Sequence, residues 1–159
     1  MFKYYVNALV ATAGLVSSAA VAHADAIYHT ANMFQPITGA NDAAISRNAI
    51  TNYIQNISTA DNVVIAAPGR SLPVPAGANQ TVVINGINNA GVNGTCSVRS
   101  VAPNGFTTAG VSQNQVAGSA WSLSFTFRPA QAPAGNAFLA YCTLSANSAN
   151  KLISLSVSP

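Results

Sequence analysis

The sequence predicts an all-β fold: a single antiparallel β-sandwich, Ig-like or jelly-roll-like, with one disulfide. Three observations lead there. Short apolar runs are cut apart by Gly, Pro and Asn turn signals. Several runs alternate large apolar residues with hydroxyl residues. And the two cysteines each fall on the apolar face of such a run.

The chain opens Met-Phe-Lys-Tyr-Tyr, and Lys3 is the only charge before an apolar stretch from Val6 to Ala22. Ala22-His23-Ala24 follows, the small-x-small pattern of a signal-peptidase site. Residues 1–24 therefore read as a cleavable signal peptide, and 25–159 as one β-sandwich domain. The stretch is shorter than a spanning helix needs and is interrupted by Asn7, Thr12, Gly14, Ser17 and Ser18. No cysteine stands at the cleavage point, which argues against a lipid anchor. The expected location is periplasmic or extracellular, in a bacterium, with no membrane span left after cleavage.

Turn signals punctuate the rest: Pro68-Gly69, Pro73, Pro75-Ala76-Gly77, Asn85-Gly86, Asn93-Gly94, Asn104-Gly105 and Pro133-Ala134-Gly135. Between them lie strand-length pieces. Val63-Val64-Ile65-Ala66 and Thr81-Val82-Val83-Ile84 are continuous and rich in β-branched residues. From Trp121 to Phe127 every odd position is large and apolar and every even one a hydroxyl, the period of a half-buried strand. In 137–145, Phe138, Ala140, Cys142 and Leu144 share a face. In 151–157, Ile153, Leu155 and Val157 oppose Ser154 and Ser156. Segment 43–60 is ambiguous. Ile50, Tyr53, Ile54 and Ile57 make a helical stripe, yet its Asn, Ser, Thr and Ile are weak helix formers, so strand is favoured.

Cys96 and Cys142 read as one disulfide, since an even pair in an exported domain of this size is normally oxidised. Each sits on its strand's apolar face, where a bond joining two strands or two sheets belongs.

Without Lys3, the bases are Arg47, Arg70, Arg99, Arg128 and Lys151, against Asp25, Asp42 and Asp61, so the net charge falls from +3 to +2. The bases are scattered singly, which excludes the clustered patch of a nucleic-acid surface. Beyond residue 24 the one histidine, His29, and two distant cysteines cannot build a zinc site, and isolated Asn41-Asp42 and Asp61-Asn62 pairs do not make a calcium loop. No cofactor is expected. A hydrolase could draw only on His29 with Asp42 or Asp61, or on a pair among the three aspartates, and no nucleophile-elbow pattern surrounds any serine.

Aromatic residues are the other candidates. Carbohydrate-binding sandwiches stack rings on sugars, with Asn and Gln as polar partners. Trp121, Tyr28, Tyr53 and Tyr141 are possible stacking residues here, but Trp121 lies in phase with Leu123, Phe125 and Phe127, which favours the core. Asn56-Ile57-Ser58, Asn79-Gln80-Thr81 and Asn93-Gly94-Thr95 match the glycosylation sequon at the rate chance supplies in so Asn- and Ser-rich a chain.

Taken in order, Met33-Phe34-Gln35-Pro36, the segment 45–57, Val63-Val64-Ile65-Ala66-Ala67-Pro68, Gly94-Thr95-Cys96-Ser97-Val98, and Tyr141-Cys142-Thr143-Leu144 followed by 152–157 form a series. The series resembles a group of small, functionally unassigned exported proteobacterial β-sandwich proteins. Where that group tends to carry a further disulfide, this chain has Met33 or Phe34 and Ala66, so both partners are absent together. The resemblance implies export and a β-sandwich and supplies no activity. The expected role is non-enzymatic: a binding or structural module of the envelope or secreted space. The alternatives are a surface fibre or pilus-like subunit, a carbohydrate-binding module binding a glycan, or, less favoured, a hydrolase.

Overall fold

The structure, a computed structural model, describes residues 26–37, 43–48, 50–59, 62–70, 78–89, 94–147 and 150–159. The proposed signal segment, Asp25, Asn41, Asp42, Asp61, Pro73, Pro75-Ala76-Gly77 and Asn93 lie outside the described residues. Among the described residues eleven strands carry the fold: β1 Ile27–Thr30, β2 Gln35–Pro36, β3 Ile45–Asn48, β4 Tyr53–Asn56, β5 Val63–Arg70, β6 Gln80–Asn88, β7 Thr95–Val101, β8 Thr107–Asn114, β9 Ser119–Phe127, β10 Ala137–Leu144 and β11 Asn150–Ser158. One 3-10 turn, Ala31–Met33, follows β1.

All pairings are antiparallel and form two sheets. The first runs β3-β4-β11-β6-β9, with β1 also on β11; the second runs β2-β5-β10-β7-β8. β4 and β1 share one flank of β11, against Lys151 and Leu152 and against residues 154–157 respectively. The predicted sandwich is thus the observed one, and its core lies between the sheets.

The alternating strands fill that core as their period demands. Trp121, Leu123, Phe125 and Phe127 are buried from β9, and Phe138, Ala140, Cys142 and Leu144 from β10. The rings of Phe127 and Phe138 meet across the sheets at 5.0 Å. Burying each Leu or Phe among them stabilises the fold by about 1.5–3 kcal/mol. Cys96 and Cys142 face each other in the β7–β10 register, and their bond links neighbouring strands of one sheet with Cα atoms 4.1 Å apart.

Within segment 43–60, β3 and β4 pair as antiparallel strands, the reading the sequence favours. Asn48 Oδ1 accepts the amide hydrogens of Ile50 and Thr51, and Asn52 takes φ 50°. That turn dismantles the helical stripe: Ile50 is exposed, while Ile54 is fully buried.

Three expectations are corrected. Asn85-Gly86 is not a turn but the middle of β6, because Trp121 packs flat where a side chain on Gly86 would stand. Pro68-Gly69 lies inside β5. Pro68 pairs with Leu139 on the β10 side, and the missing amide hydrogen is tolerated because, among the described residues, no strand pairs with this stretch of β5 on its other side. In β11 a register shift between Leu152 and Ser154 inserts Ile153 as an extra residue. Leu152 and Leu155 therefore both face the core, and Ile153, placed with Leu155 and Val157 by the alternation, is only half-buried.

Buried amides close both ends. At one, Asn150 Nδ2 donates to Gln115 Oε1 at 2.9 Å, and Gln115 Nε2 donates to the Thr143 carbonyl at 3.3 Å and lies 3.4 Å from Cys96 Sγ. Asn56 Nδ2 donates to the Leu144 carbonyl nearby. At the other, Asn136 Nδ2 donates to Ser100 Oγ and Thr108 Oγ1, and Gln80 Nε2 to the Ala132 carbonyl. Buried polar groups cost stability unless paired, and these pairs fix how the loops meet the sandwich.

Candidate functional site

The four aromatic candidates do not converge. Trp121 is 5% exposed and belongs to the core, as its phase indicated. Tyr141 and Tyr53 lie on the outward faces of opposite sheets, each half-buried. The Arg99 guanidinium stands over the Tyr141 ring at 5.2 Å, and Lys151 Nζ over the Tyr53 ring at 4.6 Å. Each of these rings thus has one face committed to a cation. Tyr28 differs: it is 78% exposed on β1.

The register around Tyr28 builds a flat face. Residues directly opposed in an antiparallel sheet point the same way. Tyr28 is opposite Ser156, Ser156 opposite Val83, and Val83 opposite Ser124. The next row is Thr30, Ser154, Asn85 and Ser122. On the other side come Ser158, Thr81 and Thr126. With strands about 4.8 Å apart and about 3.4 Å per residue, this patch measures roughly 14 Å by 14 Å.

No residue of these rows is charged, and all but Val83 carry a hydroxyl or an amide. Asn85 Nδ2 donates to Ser154 Oγ at 3.0 Å, and the Thr81 and Thr126 hydroxyls lie 3.4 Å apart. Such contacts hold the side chains in place while leaving lone pairs and hydroxyl hydrogens for a ligand. The cause lies in the sequence: the outward positions of β9 from 122 to 126 and of β11 from 154 to 158 are Ser and Thr, and those of β6 from 81 to 85 are Thr81, Val83 and Asn85.

His29 stands on β1, which among the described residues pairs with β11 alone; it lies opposite Leu155, so its ring turns toward the sandwich interior, and its Nε2 is buried without a hydrogen-bond partner. All three aspartates that a hydrolase would need lie outside the described residues. Among the described residues no group of three His, Cys, Asp or Glu side chains comes together, and no pocket opens.

Sequence reasoning missed Phe106. It sits on the β7–β8 turn, 73% exposed, where Gly105 takes φ 86° and Asn104 Oδ1 accepts the Phe106 amide hydrogen. The Asn104-Gly105 signal marked this turn; nothing marked the ring it presents. The buried amides Gln115, Asn136 and Asn150 also went unread, because Asn and Gln are as common in loops as in such clusters.

No protein-family model matches the sequence, and a search of curated proteins finds no relative. Solved structures share the fold. The C-terminal CBM6 of LamC, a marine laminarinase from Zobellia galactanivorans, superposes with a TM-score of 0.52 at 11% identity, over 85% of this chain and 100% of that one. The apo form of BiXyn10A CBM1 gives a TM-score of 0.52 at 12% identity, over 84% of this chain and 96% of that one. At such identity the likeness establishes the architecture alone.

Proposed function

We propose that this protein is an exported, non-catalytic β-sandwich that binds a neutral carbohydrate on the outer face of β1, β11, β6 and β9. The observation that carries this reading is the Tyr28 row: an exposed ring beside a flat, uncharged lattice of hydroxyls and an amide. A sugar offers an apolar ring face to Tyr28 and neutral hydroxyls to Ser124, Ser154, Ser156 and Asn85, without desolvating any charge. The architecture shared with carbohydrate-binding modules supports the reading. So does the disulfide, which suits an oxidising compartment. The sequence resemblance to unassigned exported sandwich proteins points to the same compartment.

Affinity electrophoresis against soluble neutral polysaccharides, with pull-down on insoluble ones, tests it. The wild-type chain is expected to be retained by at least one glycan, and Tyr28→Ala to weaken that binding about tenfold, the loss of one stacking contact. Failure of every glycan to retain the wild type, or equal binding by Tyr28→Ala, overturns the reading.

A further inference from the structure

We infer that the edge of β8 is a docking edge for a second copy of this chain, which pairs with it antiparallel about a two-fold axis. The sheet edges of the sandwich are unequally guarded. β3 and β1 are four residues long, and β3 carries Arg47. β5 is partly covered by β2, and Pro68 stands in the remainder. Short strands, charge and proline are the devices that stop an edge from recruiting another strand.

The opposite side lacks them. β8 and β9 end the two sheets there, joined by the turn 115–118. Neither strand contains a charged residue or a proline. On β9 the Ser124 carbonyl is capped by Gln113 Nε2 at 2.6 Å, so that edge is partly answered from within the chain. β8 is eight residues long and, among the described residues, pairs with β7 alone.

The register shows which groups are free. Gln115 N donates to the Gly94 carbonyl at 2.8 Å, directly beyond the ladder. Odd-numbered residues of β8 therefore turn their main chain toward β7, and Gly110, Ser112 and Asn114 turn theirs outward. All three are exposed. The only irregularity of β8 is the register shift that leaves Thr108 out of step, and that hydroxyl donates to the Gln131 carbonyl at 2.7 Å and lies 3.0 Å from Ser100 Oγ. The segment from Ala109 to Asn114 is regular.

A second copy is the occupant that this edge fits. When a strand pairs with itself about a two-fold axis, a charge near the axis lies beside its own copy, which destabilises the pair. An edge with no charge at all has no such penalty. Its outward side chains are a glycine, a serine and an asparagine, small enough to lie side by side. Pairing would join two five-stranded sheets into one of ten strands. The face proposed above for glycan lies on the other sheet, so the two surfaces can act independently.

Sedimentation equilibrium of the oxidised chain from micromolar to millimolar concentration tests this. The wild type is expected to double in mass as concentration rises, with amide exchange at Gly110, Ser112 and Asn114 slowing in step. Ser112→Lys is expected to stay monomeric. So is Gly110→Glu, whose added Cβ meets nothing nearer than Arg99 Cγ at 3.6 Å, an ordinary contact. Native Trp121 emission and an unchanged melting temperature confirm folding, and if one variant fails that check the other decides. A wild type that remains monomeric throughout overturns the inference, as does a dimer that survives the folded variant.

Discussion

Gly86→Ala is the sharpest test of how the core is assembled. A Cβ at this position would lie 2.2 Å from Trp121 Cζ2, 2.7 Å from Trp121 Cε2 and 2.5 Å from the Lys151 carbonyl oxygen. Comfortable contact between carbons begins at about 3.5 Å, so the indole must retreat by about 1.3 Å. The ring sits among buried neighbours, and the Lys151 oxygen belongs to the main chain of β11, so neither has room to yield freely. Overpacking of this kind costs up to about 3 kcal/mol. Replacing glycine by alanine within a strand returns about 0.5–1 kcal/mol of conformational entropy. The net expectation is a loss of about 2 kcal/mol, or a melting temperature lower by roughly 7 °C. The chain has one tryptophan, so urea titration followed by its emission reports both stability and the surroundings of that ring. The native emission of the variant should shift to the red as Trp121 is pushed toward solvent. Adding Trp121→Leu should recover part of the loss, with a coupling of about 1 kcal/mol or more. An alanine variant as stable as the wild type, with unshifted emission, would refute the close packing of Gly86 against Trp121.

Further outcomes follow from other parts of the structure. Replacing Cys96 and Cys142 together by alanine opens a loop with a sequence separation of 46 and should cost about 4 kcal/mol, lowering the melting temperature by roughly 14 °C in a calorimeter. Gln115→Ala removes the acceptor of Asn150 Nδ2 and the donor to the Thr143 carbonyl, and should cost about 2–4 kcal/mol by urea denaturation; a change below 1 kcal/mol would mean that water replaces the amide without loss. Expressed from the full sequence in a bacterium, the exported product should begin at Asp25 by N-terminal sequencing, and a product retaining Met1 at the membrane would contradict the signal-peptide reading.

Much of the sandwich was legible because strand alternation is a local property. Ser122, Ser124 and Thr126 between Trp121, Leu123, Phe125 and Phe127 leave one solution for β9, and the same holds for Cys142 between Ala140 and Leu144. Ile153 was misplaced because a bulge is decided by the partner strand: β6 skips one residue of β11, and nothing inside 151–157 records it. Asn85-Gly86 carries a strong hairpin signal, yet the glycine is there for the indole packed against it from β9, thirty-five positions along the chain. The candidate face was half legible. The serines of β9 and β11 could be named as outward and Tyr28 as a stacking candidate, but their alignment into rows depends on register across β1, β11, β6 and β9, which only the fold supplies.

The bond between Cys96 and Cys142 also has a mechanical consequence. β8 and β9 both lie within the loop it closes, and the bond joins adjacent strands near one end of the second sheet. When the chain is pulled from its two ends, tension passes through the bond and bypasses that loop. A loop of 46 residues withholds about 150 Å of contour from extension. A stretched oxidised molecule therefore stops short by that length, and adding reductant under constant load should release it as a single step.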